Sequence, residues 1–233
     1  MTVGRRILGA VAAAKTTRAV YQAMSTRDEL FGASMARINH RGAEVTLAAG
    51  PAAILGSLAG TALTPGLPRH VRAATLLATS SAGACGLYDD LFGTTAAKGL
   101  RGHVKALRRG EVTSGAIKLV GIGAAGVVAG SLARAGRGGV VDAALASVVV
   151  AGSANLLNLF DLRPGRATKL LLAAGAPALV GPGETGDVLA GPVAAAISLL
   201  PDDLAERCML GDAGANALGA AAGTAAAAGL SRR

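Results

Sequence analysis

The stretch AALASVVVAGSANLLNLF, residues 143–160, indicates the fold class most clearly. It contains no Asp, Glu, Lys or Arg, and it shows no polar face at the helical period of 3.6 residues. A bilayer core requires about 20 helical residues, and this segment is close to that length. We therefore predict a membrane-spanning helix that ends at Asp161.

Further stretches without charged residues lie along the rest of the chain, at 45–63, 73–88, 119–133, 170–183, 188–201 and 213–231. Two of them, 73–88 and 119–133, reach spanning length if Arg72 or Lys118 extends its side chain to an interface. The pattern predicts an all-α fold, a polytopic membrane helix bundle with about six or seven spans.

Two regions leave the number of spans open. The sequence of residues 170–201 is compatible with two short spans or with one re-entrant hairpin that has Glu184 and Asp187 at its tip. Residues 1–42 carry scattered arginines and predict a cytoplasmic amphipathic helix on an anionic leaflet, or else a degraded first span. The domain division that follows is 1–42 for this segment and 43–233 for the transmembrane domain.

The composition supports a membrane protein. Hydrophobic residues make up 52% of the chain, charged residues only 16%, and aromatic residues 2%. The charge content is well below the roughly 25% of soluble domains, and a disordered chain would be less apolar. Small apolar residues and 34 glycines favour closely packed helices in lipid.

Positive charges orient the predicted spans. With residues 1–42 in the cytoplasm and alternating spans, the loops 89–118, 161–169 and 202–212 fall on the same side. That side then carries most of the 23 Lys and Arg residues, as expected for cytoplasmic loops. We expect a multi-pass protein of the plasma membrane whose cytoplasmic face carries the functional residues.

Four aspartates begin or follow predicted spans on this face: Asp89, Asp90, Asp161 and Asp212. Carboxylates beside lipid are costly unless they are paired, hydrated or bound to a cation. Oxygen ligands without a Cys/His cluster favour Mg²⁺, with Mn²⁺ as an alternative. Ordinary interfacial loop charges are the competing interpretation, which we prefer for Asp202, Asp203 and Glu206.

A basic loop between the second and third long stretches is the expected partner of these carboxylates. It contains Lys98, Arg101, Lys105, Arg108 and Arg109. Their spacing places several on one helical face, which would bind anionic lipid heads, RNA or a diphosphate, or would only set topology. Because no aromatic residues lie between them for base stacking, we expect no nucleic-acid partner.

Four motifs in order carry a resemblance: Asn39-His-Arg-Gly, Gly86-Leu-Tyr-Asp-Asp, Asn155-Leu-Leu-Asn-Leu-Phe-Asp and Met209-Leu-Gly-Asp-Ala-Gly-Ala-Asn-Ala-Leu-Gly. Over residues 37–225 the chain resembles the polyprenyl-phosphate N-acetylhexosamine-1-phosphate transferases. The resemblance implies that a polyprenyl phosphate attacks the β-phosphate of a UDP-amino sugar and releases UMP, with Mg²⁺ as cofactor, in envelope-glycan synthesis.

The resemblance also implies residue roles. The catalytic residues would be Asp89, Asp90, Lys98 and Lys105, the substrate-binding residues Asn39, Arg41, Asn158 and Asp161, and the metal ligand Asp212. Asp89 or Asp90 would position or deprotonate the lipid phosphate. The two lysines would screen phosphate oxygens, while Asn158 and Asp161 would contact the uridine.

The chain departs from the family pattern in three places. Gly93 replaces a residue that is often polar, and Pro164 stands where the nucleotide loop has a second Asp. The later His-rich loop of the family has no counterpart in this sequence.

The alternative to an active transferase is a non-catalytic relative that binds lipid phosphate or nucleotide sugar or acts as a scaffold. A homodimer or a complex with a membrane partner protein is also open. A transporter would need mid-span charges, for which only Lys15 and Arg18 are candidates.

Overall fold

The computed structural model describes residues 2–27, 32, 34–93, 102, 106, 108–136 and 138–229. Its elements are α1 (Thr2–Ser25), β1 (Ala36–Ile38), β2 (Glu44–Thr46), α2 (Ala49–Leu63), α3 (Arg69–Phe92), α4 (Ser114–Ala133), α5 (Val140–Phe160), α6 (Arg166–Val180), α7 (Glu184–Leu204) and α8 (Gly211–Gly229). The all-α prediction is confirmed, because helices dominate the described residues and the strands form only one short hairpin.

The predicted charge-free stretches correspond one to one with the helices α2 to α8. Residues 170–201 form two helices, and the start of α6 lies beside the end of α7, where Gly165 approaches Leu204. The turn between these helices contacts Arg6 near the start of α1. Helices α6 and α7 therefore lie antiparallel along the bundle and are joined by the short turn at residues 181–183.

The N-terminal helix α1 packs into the bundle, against α2 and α7. Arg6 pairs with Asp187 at the start of α7, and Arg18 pairs with Asp202 near its end. The two helices therefore run parallel, side by side. This arrangement differs from the separate surface helix predicted for residues 1–42, and it places the two ends of α1 at opposite ends of the bundle.

The ion pair of Arg6 predicts a large effect on stability. Arg6 is 7% exposed, contacts Asp187 at 2.7 Å and donates to carbonyl oxygens around residues 179–183. We expect Arg6→Met to lower the free energy of unfolding by about 3–5 kcal/mol, because Asp187 would stay buried without its partner. Thermal unfolding in detergent measures this effect.

The matched control is Arg41→Met. The Arg41 side chain is 70% exposed and pairs with Glu206 at 2.8 Å. An exposed pair contributes about 1 kcal/mol or less. Equal losses of stability in the two variants would contradict the importance of the buried pair.

Helix α8 lies at the centre of the bundle and packs against α2, α3, α5 and α7. Its contact with α5 depends on glycine: a Cβ added at Gly223 would lie 2.7 Å from Val150 Cα, and one at Gly219 would lie 2.7 Å from Ala154 Cα. The glycines and small apolar residues of the sequence thus allow close helix packing here.

Two of the described helices, α4 and α5, are long and apolar enough to cross a membrane, and α2 is a shorter apolar helix. Only 33% of the apolar window of α4 and 22% of that of α5 are buried, whereas a core helix of a soluble protein is mostly buried. Val120 on α4 and Val148 on α5 are 73% and 69% exposed. These helices present apolar surfaces outward.

The β1–β2 hairpin was not predicted. The strands are antiparallel, with Ala36 opposite Thr46 and Ile38 opposite Glu44. Thr46 also forms a parallel bridge with Cys208, which ties the hairpin to the segment between α7 and α8. The hairpin therefore lies over the end of the bundle at which α8 begins.

Candidate functional site

Helix ends from distant parts of the chain meet at one end of the bundle, which we call the site end. The C-terminal ends of α3, α5 and α7 lie there with the N-terminal ends of α4 and α8. The hairpin joins them, because the Arg37 guanidinium donates a hydrogen bond to the carbonyl oxygen of Asp90.

The N-terminus of α8 is held by carboxylates from two other helices. Asp161, which follows α5, accepts a hydrogen bond from the backbone N–H of Gly211 at 2.9 Å. Asp90 of α3 accepts from the N–H groups of Asp212 at 3.1 Å and Ala213 at 2.9 Å. The first N–H groups of a helix have no partner within it, and its positive dipole end favours anions. These contacts therefore position α8.

Asp161 is the more enclosed of the two capping carboxylates, with 8% of its surface exposed. Burial raises its pKa well above the ordinary range for an aspartate, and the nearby Asp203 carboxylate raises the pKa further. Gly211, whose N–H it binds, has φ of 63°, a left-handed conformation that glycine adopts most easily. The turn into α8 is thus built around this carboxylate.

The remaining two aspartates share one lysine. Lys118 Nζ lies 2.7 Å from Asp89 Oδ2 and also donates a hydrogen bond to Asp212 Oδ2. The side chains of these three residues, which we call the Lys118 triad, are 14%, 17% and 26% exposed for Lys118, Asp89 and Asp212. Asn158 of α5 also contacts the Asp212 carboxylate. The structure thus brings Asp89, Asp212 and Asn158 together.

Asn39 and Arg41 occupy the turn of the hairpin and do not reach the Lys118 triad. The Asn39 side-chain oxygen accepts hydrogen bonds from the N–H groups of Arg41 and Ala43, at 2.8 and 3.0 Å, and thereby closes the turn. Its amide donates to Glu206 at 2.7 Å. Lys98 and Lys105 lie outside the described residues, so the predicted contribution of the basic loop stays a prediction.

A cavity of about 190 Å³ lies between the hairpin and the loops that follow α5 and α7. Its lining includes Asn39, His40, Asp161, Arg163, Asp203 and Glu206. Asp203 is 4% exposed, and its carboxylate accepts a hydrogen bond from the Gly165 N–H at 3.0 Å. Because Asp161 both lines the cavity and binds the Gly211 N–H, the cavity adjoins the N-terminus of α8.

Sequence reasoning missed three residues of this region. Lys118 was expected only to extend toward an interface, although a single lysine one turn inside an apolar helix is a signal for a charged partner. Asp203 and Glu206 were interpreted as loop charges, whereas both line the cavity and Asp203 is buried. The positions of these two residues, in the last turn of α7 and just after it, gave no comparable signal.

The chemistry of the Lys118 triad suits a hard cation. Both aspartates contact one ammonium, so both carboxylates lie within reach of a single positive ion. Among the residues that the structure describes, no three His, Cys, Asp or Glu side chains form a metal-binding group. Mg²⁺ is commonly held by one or two carboxylates together with substrate phosphates and water. Asp89 and Asp212 therefore fit Mg²⁺ bound jointly with a phosphate ligand.

The sequence was also compared with known proteins. No protein-family model and no curated protein matches it.

Proposed function

We propose that this chain is a multi-pass membrane transferase that moves a sugar-1-phosphate from a UDP-amino sugar to a polyprenyl phosphate and releases UMP. The product would serve envelope-glycan synthesis, and the site end would face the cytoplasm. The observation that carries the proposal is the Lys118 triad, in which Asp89 and Asp212, distant in sequence, meet at one end of the bundle beside a cavity.

The exposed apolar surfaces of α4 and α5 support a membrane location. Because successive helices alternate in direction, a bilayer around the bundle would place the loops after α3, α5 and α7 on one side. These loops carry much of the positive charge, which favours the cytoplasm. We infer that the bundle crosses the plasma membrane several times, and that α1 crosses with it.

Asp212 and Asp89 would hold Mg²⁺, which supplies charge neutralisation for a diphosphate when bound. Phosphoryl transfer depends mainly on positioning and electrostatic stabilisation, so few further groups are needed. Asn158 orients the Asp212 carboxylate, and Asp90 fixes the helix turn on which Asp212 lies. The polyprenyl chain would lie along the apolar surface of the helices.

The cavity is the proposed site for the uridine. Its carboxylates at Asp203 and Glu206 are hydrogen-bond acceptors that suit the donors of a base and a ribose. Pockets for small ligands are mostly apolar with a few placed polar groups. The lining by Val45, Leu162 and Met209 beside those carboxylates agrees with that pattern.

The direct test uses purified protein in detergent with Mg²⁺, undecaprenyl or decaprenyl phosphate, and UDP-GlcNAc or related donors. Release of UMP is the expected result. Absence of UMP with every donor, under conditions in which an established enzyme of this kind is active, would contradict the proposal.

A second candidate is a non-catalytic binder of nucleotide sugar or lipid phosphate. The Lys118 ammonium favours it, since it already contacts both Asp89 and Asp212, the two carboxylates that catalysis would require for Mg²⁺.

Ligand-induced stabilisation separates the two candidates when it is combined with the UMP assay. With Mg²⁺ and UMP at about 100 times the dissociation constant, binding should add about 2.7 kcal/mol to the free energy of unfolding. Thermal unfolding in detergent measures this shift. Stabilisation without UMP release would favour the binder, and no stabilisation at any UMP concentration would contradict nucleotide binding by either candidate.

A further inference from the structure

We propose that the ammonium group of Lys118 competes with a divalent cation for the carboxylates of Asp89 and Asp212. This inference rests on the proposed function, because it concerns regulation of the same metal site. In the structure the Lys118 ammonium contacts Oδ2 of Asp89 at 2.7 Å and Oδ2 of Asp212. A cation held by both carboxylates would need the position that the ammonium occupies.

The surroundings make this competition strong. The side chains of the Lys118 triad are between 14% and 26% exposed, so water screens their charges only in part. Without a cation, Asp89 and Asp212 would repel each other across a short distance. Lys118 removes that repulsion and keeps the carboxylates close together in the absence of metal.

The placement of Lys118 in the fold permits an exchange of cations. Lys118 lies one turn into α4, and its ammonium reaches both aspartates from a helix that carries neither of them. Moving that flexible side chain leaves the caps from Asp90 and Asp161 on α8 unchanged, because Lys118 takes no part in them. Metal binding therefore requires movement of one side chain and no rearrangement of helices.

Removal of the ammonium should strengthen metal binding. The test measures Mn²⁺ affinity by electron paramagnetic resonance of full-length protein in detergent, for wild type and Lys118→Met. We expect the variant to bind roughly ten to a hundred times more tightly, as expected when a competing charge-assisted contact is lost. Lys118→Arg keeps the positive charge and should not tighten binding.

Lys169→Met is the matched control, because Lys169 is an exposed lysine near the start of α6, at the site end of the bundle. It should leave Mn²⁺ affinity unchanged. Equal or weaker Mn²⁺ binding by Lys118→Met, compared with wild type, overturns the inference and leaves the metal site in place. Absence of Mn²⁺ binding by both proteins overturns the metal assignment of the proposed function itself.

A second measurement uses wild-type protein and so does not depend on the folding of a variant. Acetylation of Lys118, followed by mass spectrometry of its peptide, is compared with and without saturating Mn²⁺. Metal should increase acetylation of Lys118 several-fold relative to Lys169, since the ammonium leaves its two carboxylates. Unchanged acetylation of Lys118 in protein that binds Mn²⁺ contradicts the inference.

Discussion

Asp212→Asn should reduce the rate of UMP release by about 100-fold or more. The substitution keeps the size of the side chain but removes the charge that would hold Mg²⁺ beside Asp89. Because Asp90 binds the backbone N–H of Asp212 and not its side chain, the capped turn of α8 should survive. The measurement is UMP release at saturating donor and lipid phosphate.

The matched control for this variant is Asp142→Asn at the start of α5, at the opposite end of the bundle. The Asp142 carboxylate accepts a hydrogen bond from the Gly139 N–H at 3.1 Å, and an Asn side chain can accept the same bond. It should retain wild-type activity. Equal rates for wild type, Asp142→Asn and Asp212→Asn would show that Asp212 has no part in the reaction.

Gly86→Ala should lower both stability and activity. Gly86 of α3 faces the first turn of α8, where an added Cβ would clash with backbone atoms of Asp212 and lie 2.7 Å from Ala213 N. Since these neighbours are backbone, they cannot move aside, and the overpacking should cost about 1–3 kcal/mol or more. A displacement of about 1 Å at Asp212 should also reduce the rate by about 100-fold.

Gly123→Ala in α4 is the control for this packing effect, because a Cβ added at Gly123 meets no atom within 4 Å. Alanine is preferred over glycine within a helix by about 1 kcal/mol, so this variant should be as stable as wild type or slightly more so. Thermal unfolding of both variants measures the difference. Equal stability of Gly86→Ala and wild type would contradict the close contact of α3 with α8.

The helices could be predicted from the sequence because absence of charge is a local property. The packing of α1 was harder to predict, because its arginines are unsuited to a packed helix unless they have acidic partners. Arg6 pairs with Asp187 and Arg18 with Asp202, and those acids lie far along the chain. The hairpin was missed because its three-residue strands are too short to show alternation.

The candidate site was predictable in outline. Aspartates at the ends of predicted spans on one side were expected to converge, and Asp89, Asp90, Asp161 and Asp212 do lie at one end of the bundle. The structural role of each aspartate was not predictable. Whether a carboxylate caps a helix or pairs with Lys118 depends on backbone geometry, which the sequence does not display.

Thiol labelling in intact cells tests most directly whether the site end of the proposed membrane bundle faces the cytoplasm. In a Cys85→Ala, Cys208→Ala background, cysteines are placed at Val112, at the site end, and at Val180, at the opposite end. Both positions are well exposed, at 66% and 89%. A membrane-impermeant reagent added outside should label Val180→Cys only, and Val112→Cys should react only after the membrane is opened. Labelling of both positions from outside, or of Val112→Cys alone, would contradict a cytoplasmic site end.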